Sequence, residues 1–296
     1  MRKAYIQMHL SILLWGFTGI LGKLIQLPEA MLVWYRLLLT CIFLCIYVFY
    51  KKSLGKLNRK ELLRISGVGF IIMVHWIFFY GAIKASNVSI TLSCFSSTAL
   101  FTAITDAAIN RNRINPVELL FAALAIIGIY LIFTFQQFYA LGIVMALISA
   151  LLGAIFTVLN KKMVGNYSPE TITFYELGSG FIYLTLLLPI YFHFYPDIKT
   201  TPSVRDWLWL FLLSSACTVV PFIMSLKALK KVSAFTLNLS LNLEPVYSII
   251  LAIIIFKENK EMNWGFYAGT SIILGSVIMH SVYKVRNTLK IKNASA

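Results

Sequence analysis

Acidic side chains are scarce in this sequence, which has 11 Asp and Glu residues against 26 Lys and Arg. Only three are aspartates, Asp106, Asp197 and Asp206, and no two of them form a pair suited to holding magnesium and a diphosphate. A membrane prenyltransferase is therefore not indicated. The motifs GxSxG, HExxH, GxGxxG and the P-loop do not occur in a usable context, which argues against an enzyme and against a pump driven by ATP hydrolysis within this chain.

Cysteine is equally sparse. The four cysteines, Cys41, Cys45, Cys94 and Cys217, all fall in apolar runs without zinc-site spacing, so reduced thiols are expected and neither a metal nor another cofactor is predicted. Charged residues make up 12% of the chain, against roughly a quarter in a soluble domain. Together with 59% hydrophobic residues and a mean hydropathy of +0.81, this composition indicates an integral membrane protein.

Apolar runs long enough to cross a bilayer fill most of the chain. The ten runs cover approximately residues 4–25, 30–50, 65–84, 89–109, 117–135, 139–160, 170–194, 207–229, 234–256 and 264–283. The connections between them are mostly short, and no linker rich in Pro, Gly or Ser marks off a soluble domain. The sequence therefore predicts an all-α integral membrane fold with ten transmembrane helices.

Positive charge is distributed unevenly over the loops, and this predicts the orientation of the chain in the membrane. If the N-terminus is cytoplasmic, 19 of the 26 Lys and Arg lie on the cytoplasmic side. Arg36 lies within a span, and the other six lie on the outer side: Lys23, Lys84, Lys199, Arg205, Lys257 and Lys260. We therefore expect a multi-pass cell-membrane protein with both termini in the cytoplasm. The basic residues do not cluster on one surface domain, so nucleic acid is not an expected partner.

The ten spans divide into two related sets of five. Pro28-Glu29 opens the second span as Pro169-Glu170 opens the seventh, and Lys84-Ala85 follows span three as Lys227-Ala228 follows span eight. Because such matches keep the same order along the chain, they predict a repeat. Five is odd, so the second copy enters the membrane from the opposite side and the repeat is inverted. The predicted domains are a first repeat, a second repeat and a basic cytoplasmic tail, at residues 4–135, 139–283 and 284–296.

Several motifs together resemble one family. They are Trp15-Gly16 followed by Lys23, Pro28-Glu29, Leu243-Glu244-Pro245, Phe256-Lys257-Glu258 and the glycines Gly265, Gly269 and Gly275. In this combination the chain resembles the EamA-like branch of the drug/metabolite transporter (DMT) superfamily over approximately residues 4–283. The resemblance implies two inverted five-helix EamA repeats, a central cavity, and export of amino acids or other small metabolites. The first half departs from the family pattern, because Thr98-Ala99 stands where the second half has Glu244-Pro245, and Asn112 stands where it has Glu258.

Span nine carries a carboxylate followed by a proline within an otherwise apolar segment. Glu244 is costly in hydrocarbon, so we expect it to face a protein interior or a wet cavity. Asn238 and Asn242 are four residues apart and share one face of a helix. Pro245 has no N–H for the carbonyl of Leu241, which is therefore expected to be free for a ligand, a water or a side chain. Glu244 either exchanges a proton for substrate or hydrogen-bonds a neighbouring helix and fixes the packing around the proline.

Arg36 and Glu176 occupy nearly equivalent positions in spans two and seven. Arg36 either snorkels to the outer headgroups or is a cavity cation for a substrate carboxylate, which its planar fork binds bidentately. Glu176 either makes a structural ion pair or helix-end hydrogen bond, or it is a proton-accepting or amine-binding carboxylate. His75 in span three is either a satisfied interior residue or a proton site.

The residues predicted to line the substrate path are Trp15, Tyr35, Arg36, His75, Tyr80, Tyr175, Glu176, Asn238, Asn242 and Glu244. For the aromatic members, packing in the core or at the lipid interface is the alternative. The predicted function is secondary active transport through a central cavity between the inverted repeats, with a small-molecule substrate and the lipid bilayer as partners. A membrane channel or a non-transporting membrane scaffold is the alternative, and a homodimer is left open.

Overall fold

The protein is described by a computed structural model that covers residues 2–52, 54–111, 116–135, 139–241, 243–260 and 262–294. These residues form helices and no strand. The α-helices are α1 (Arg2–Gly16), α2 (Thr18–Leu24), α3 (Glu29–Lys51), α4 (Arg59–Ala85), α5 (Val88–Phe95), α6 (Thr98–Asn110), α7 (Pro116–Phe135), α8 (Ala140–Met163), α9 (Pro169–Phe194), α10 (Val204–Ser214), α11 (Val220–Leu229), α12 (Ala234–Ser240), α13 (Leu243–Phe256) and α14 (Trp264–Ala294). A π-helical turn, Ser215–Val219, joins α10 to α11, and a 3₁₀ turn, Glu258–Lys260, follows α13.

Seven stretches within the described residues are long and apolar enough to cross a membrane. They are Arg2–Leu24, Glu29–Lys51, Arg59–Ala85, Val88–Asn110, Ala140–Met163, Pro169–Phe194 and Val204–Leu229. The prediction of an all-α fold is confirmed for the described residues, and the seven stretches agree with its membrane class. The remaining predicted spans fall on α7, on α12 with α13, and on α14, and the total of ten stays a prediction.

Local sequence signals explain where several helices begin. Asn58 accepts a hydrogen bond from the amide of Glu61 at 3.0 Å, while the Glu61 carboxylate accepts one from the amide of Asn58 at 2.8 Å. This capping box satisfies amides that have no partner within α4. The predicted openings Pro28-Glu29 and Pro169-Glu170 coincide with the starts of α3 and α9, where a proline fits because its missing N–H would be unpaired anyway.

Two apolar stretches are interrupted at corresponding places in the two predicted repeats. The first interruption separates α5 from α6 at Ser96 and Ser97, and the second separates α12 from α13. Serine hydroxyls bind backbone carbonyls at the first break, since Ser96 donates to the carbonyl of Ser93 at 2.6 Å and Ser97 to that of Cys94 at 2.7 Å. Broken helices of this kind are typical of the substrate region of secondary transporters.

The helix pair α7 and α14 packs by close backbone approach at two glycines. A methyl group at Gly128 would lie 2.7 Å from the carbonyl oxygen of Gly269, and one at Gly269 would lie 2.5 Å from that of Gly128. Neither position tolerates a larger residue without moving the helices apart, because the obstructing atoms belong to the backbone. Helix α14 continues through the predicted tail as far as Ala294.

Candidate functional site

A central cavity lies among α1 to α5, α8, α11 and the interrupted α12–α13 stretch. Its volume is about 70 Å³, which is room for several ordered waters. Six aromatic rings line it: Trp15, Trp76, Phe79, Phe95, Phe156 and Phe222. Its polar lining consists of Thr18, Arg36, His75, Thr157, Asn160, Ser225 and Glu244. An apolar wall with a few polar groups is the usual construction of a small-molecule site.

Arg36 lines this cavity from α3 and is held there on three sides. Its Nε donates to the hydroxyl of Thr218 at 2.9 Å, and its Nη1 donates to the hydroxyl of Tyr80 at 2.8 Å. Its Cζ lies 3.6 Å from the centre of the Trp76 ring. Only 2% of the residue is exposed, so the guanidinium lies inside the bundle and not at the headgroups. Two of its five N–H groups have partners among the described residues, which leaves others for a ligand.

The Thr218 hydroxyl is set by an irregularity of the backbone. Thr218 lies in the π-helical turn and donates to the carbonyl of Leu213 at 2.6 Å, five residues earlier, while it accepts from Arg36. Pro221 follows shortly and cannot supply an N–H to the helical ladder. The sequence reasoning missed Thr218; the available signal was the proline inside an apolar run.

Glu244 lies in the first turn of α13 and also lines the cavity. It is 5% exposed, and no hydrogen bond or ion pair from the described residues reaches its carboxylate. Glu244 and Arg36 therefore share one cavity without forming an ion pair with each other. A buried cation and a buried carboxylate that are not paired with each other can bind the negative and the positive group of one ligand, respectively.

The start of α13 rests against α1. The hydroxyl of Ser248 donates to the carbonyl of Gly16, and a methyl group at Gly16 would lie 3.4 Å from Cβ of Tyr247. The prediction that the carbonyl of Leu241 is free is wrong, because the amide of Glu244 donates to it at 2.8 Å. The chain turns between α12 and α13, and this brings a nearer amide to the carbonyl that Pro245 cannot serve.

The sequence pattern of the EamA-like transporter family matches residues 2–134 of the chain and again residues 140–282. The chain belongs to the EamA-like transporter family. Membership of the DMT superfamily follows, and the family points to a transporter rather than an enzyme.

Relatives of this EamA-like protein carry the same general description. An uncharacterized transporter, YxxF, of Bacillus subtilis (strain 168) is 24% identical over 92% of this chain and 89% of its own length. An uncharacterized transporter of Archaeoglobus fulgidus is 26% identical over 88% of this chain and 91% of its own length. A solved crystal structure that is 16% identical aligns with a TM-score of 0.66 over 93% of this chain and 95% of its own, which shows a shared fold.

His75 of the EamA-like protein lines the cavity, and its ring is hydrogen-bonded to Ser149 on α8. Its Nδ1 lies 2.8 Å from the carbonyl oxygen and 2.9 Å from the hydroxyl of Ser149 on α8. The rings of Phe95 and Phe156 have their centres 5.6 and 5.4 Å from that of the imidazole. Ser149 therefore fixes the orientation of the ring at the cavity wall.

Glu176 lies behind the cavity wall and not in it. Asn160, which does line the cavity, donates from Nδ2 to Glu176 Oε2 at 3.4 Å. The other carboxylate oxygen and the amide oxygen of Asn160 have no hydrogen-bond partner within the described part of the chain. The sequence reasoning did not select Asn160, although its position parallels that of Lys23 in the first repeat.

The predicted tyrosines take different places. Tyr80 is fully buried and supports Arg36 from outside the lining. Tyr35 packs edge-on against Trp34 and Trp207. Tyr175 lines a separate lateral groove between α3, α4 and α9. Asn238 belongs to α12, but its side chain lies outside the described part of the structure, as does the whole of Asn242.

The end of the bundle that contains Lys23, which we name the Lys23 end, is closed by Glu258. Its Oε1 lies 2.7 Å from Lys23 Nζ, and Oε2 accepts from the Ser89 hydroxyl at 2.6 Å and the Ser89 amide at 2.9 Å. The amide of Val88 donates to Oε1 at 3.2 Å. Lys257, with a left-handed φ of 57°, reverses the chain after α13 so that Glu258 reaches the start of α5.

The opposite end, which we name the Lys161 end, is joined by different contacts. Lys161 Nζ donates to the carbonyls of Leu229 at 2.6 Å and Val232 at 2.7 Å. Lys227 forms an ion pair with Glu170 at 2.7 Å, which links the end of α11 to the start of α9. Glu258 therefore links helices at the Lys23 end by binding backbone amides, and Lys161 links helices at the Lys161 end by binding backbone carbonyls.

Proposed function

We propose that this protein is a secondary active transporter that exports amino acids or other small metabolites through the central cavity, between two inverted five-helix repeats. The observation that carries this proposal is the pairing of a buried Arg36 and a buried Glu244 on one cavity without an ion pair between them. A zwitterion satisfies both, with its carboxylate on the guanidinium fork and its ammonium group on the glutamate. The aromatic wall suits an apolar side chain.

The first experiment seeks the substrate and the mode of transport together. Cells that overproduce the protein are grown with toxic amino-acid analogues, and an exporter confers resistance to those it carries. The parent amino acid is then tested with radiolabel in vesicles containing the purified protein. Unlabelled amino acid inside is expected to drive uptake of label by counterflow, since a carrier exchanges substrate across alternating states.

The outcomes separate the alternatives. A channel dissipates the gradient without counterflow, and a scaffold confers neither resistance nor flux. Vesicles with an Arg36→Ala variant provide the control for leakage, because that variant retains the bundle surface but loses the cavity cation. The carrier mechanism is rejected if the protein confers resistance to toxic analogues but none of their parent amino acids shows counterflow.

Glu244 is proposed as the group that couples export to protons. The variant Glu244→Gln keeps the shape and hydrogen-bonding capacity of the side chain but cannot ionise. We expect it to fold and to exchange substrate for substrate, while an imposed pH gradient no longer stimulates its transport. Glu61→Gln is the matched control, because Glu61 caps α4 away from the cavity and glutamine preserves the capping contact. Full pH-driven transport by Glu244→Gln, or its failure to fold, would leave the coupling role without support.

The proposed orientation places both termini in the cytoplasm of a cell-membrane protein, on the strength of the uneven positive charge. The test uses a variant in which the four native cysteines are replaced. A cysteine in place of Thr201, which is exposed before α10, is expected to react with an impermeant thiol reagent in intact cells. A cysteine in place of Lys56, which is exposed before α4, is expected to react only after the membrane is opened. The reverse pattern would invert the proposed topology.

A further inference from the structure

Glu176 is a buried carboxyl group that the Arg36–Glu244 cavity does not use directly. It is 0% exposed and lies on α9, one layer behind Asn160. The only hydrogen bond to its carboxyl group among the described residues is the 3.4 Å contact from Asn160 Nδ2 to Oε2. Glu176 Oε1 and Asn160 Oδ1 are both buried acceptors to which no described residue donates. Two orphan acceptors beside one another require a donor, because unpaired buried oxygens cost free energy.

No cationic side chain that the structure describes supplies that donor. Helix α9 packs against α3, α4 and α11, and Asn160 brings α8 to it. The basic or imidazole side chains of these helices that are not exposed are Arg36, His75, Lys161 and Lys227. Each has its partners elsewhere: Arg36 bonds Thr218 and Tyr80, His75 bonds Ser149, Lys161 bonds the Leu229 and Val232 carbonyls, and Lys227 pairs with Glu170. The thiol of Cys41 on α3 faces the carbonyl of Leu177, 3.8 Å away.

The chemistry of the site selects a proton as its occupant. The Glu176 carboxylate and the Asn160 amide offer three oxygens, whereas Mg²⁺ and Ca²⁺ take six or more ligands. A proton on the carboxyl group removes the unpaired charge and provides one O–H donor, which the free oxygen of Asn160 can accept after rotation of the amide. We propose that Glu176 and Asn160 form a proton-binding site beside the central cavity, separate from Glu244.

Asn160 links this site to the cavity. Asn160 lines the cavity, and its amide nitrogen donates to the Glu176 carboxylate. Loss of the proton changes Glu176 from donor to acceptor, so the amide must present Nδ2 to the carboxylate and its oxygen to the cavity. Protonation favours the opposite orientation, with Nδ2 available to the cavity. The use of this change in transport rests on the proposed function, but the proton site itself does not.

The test is infrared spectroscopy of the purified full-length protein, in which a protonated carboxyl group gives a carbonyl-stretch band apart from those of amides and carboxylates. The wild-type protein is expected to show such a band that disappears as the buffer is made alkaline. Glu176→Gln is expected to remove one band, while Glu244→Gln leaves that band in place. Asn160→Leu is expected to shift the same band to higher frequency, because the O–H loses its buried acceptor.

Each outcome decides the proposal. Identical spectra for wild type and Glu176→Gln from acidic to alkaline buffer overturn it. If Glu176→Gln does not fold, the Asn160→Leu spectrum decides, since an unshifted set of bands then overturns it and a shifted band supports it. The measurement needs no substrate. A titrating Glu176 band in a protein that shows no counterflow would therefore reject the proposed transport function while leaving the proton site established.

Discussion

Replacing Arg36 with lysine is expected to lower the transport of whichever amino acid shows counterflow by at least about tenfold, without unfolding the protein. Lysine keeps the positive charge but replaces a planar fork with a compact ammonium group. It cannot stack on Trp76 while donating to both Thr218 and Tyr80, and it offers a substrate carboxylate no parallel pair of N–H groups. The free energy lost is that of at least one charge-assisted hydrogen bond, about 1.5–3 kcal/mol.

The measurement is the rate of counterflow against substrate concentration, so that an altered apparent affinity can be separated from an altered maximal rate. Elution of the purified variant as a single species confirms that it folds. Arg64→Lys is the matched control, because Arg64 is exposed on α4 and its replacement should change transport little. Unchanged counterflow in a well-folded Arg36→Lys protein would remove Arg36 from substrate binding and leave it a structural role.

The sequence predicted the membrane class and most helix positions because the hydropathy and charge of a segment depend only on its own residues and not on tertiary contacts. It did not predict the break at Ser96 and Ser97. Hydropathy measures the average polarity of a segment, and serines that return their hydroxyls to backbone carbonyls hardly change that average. The sequence also did not predict the π-helical turn before Pro221, since a proline in a membrane helix indicates an irregular backbone without specifying its geometry.

The charged members of the cavity lining were predicted, together with Trp15 and His75, whereas its other members were not predicted. Arg36 and Glu244 stand out because a charge in hydrocarbon is costly wherever it occurs. Thr218 does not stand out, as its importance depends on Arg36, which is 182 residues away in the chain and becomes a neighbour only in the folded bundle. Trp76 and Phe95 are likewise single members of a chain rich in aromatic residues, so composition gave no reason to prefer them.

The position of Glu176 illustrates what pseudo-symmetry can and cannot predict. The repeat placed Arg36 and Glu176 at nearly equivalent points, and both are buried in the bundle. Arg36 reaches the cavity directly, whereas Asn160 stands between Glu176 and the cavity. A repeat fixes the helix and the depth of a residue, but the rotation of each helix about its axis depends on side chains that differ between the copies.

Replacing Glu258 with alanine is expected to destabilise the protein by about 3 kcal/mol or more. The side chain is 0% exposed, and its two oxygens serve the amides of Val88 and Ser89, the Ser89 hydroxyl and Lys23. Alanine leaves these donors without an acceptor in a place that water does not reach freely. Glu258 also ties α2, α5 and the turn after α13 together, so its loss opens the Lys23 end of the bundle.

The measurement is the free energy of unfolding of the purified protein in detergent, followed by tryptophan fluorescence. The matched control is Glu170→Ala, which removes the Lys227 ion pair at the Lys161 end. That pair has a half-exposed lysine and is expected to contribute less than about 1 kcal/mol. Lys23→Met removes only the partly exposed partner of Glu258 and retains its three backbone and hydroxyl contacts, so an intermediate loss is expected. If Glu258→Ala and Glu170→Ala destabilise the protein equally, then the amides at the start of α5 do not depend on Glu258, and the Lys23 end is held by packing of apolar side chains instead.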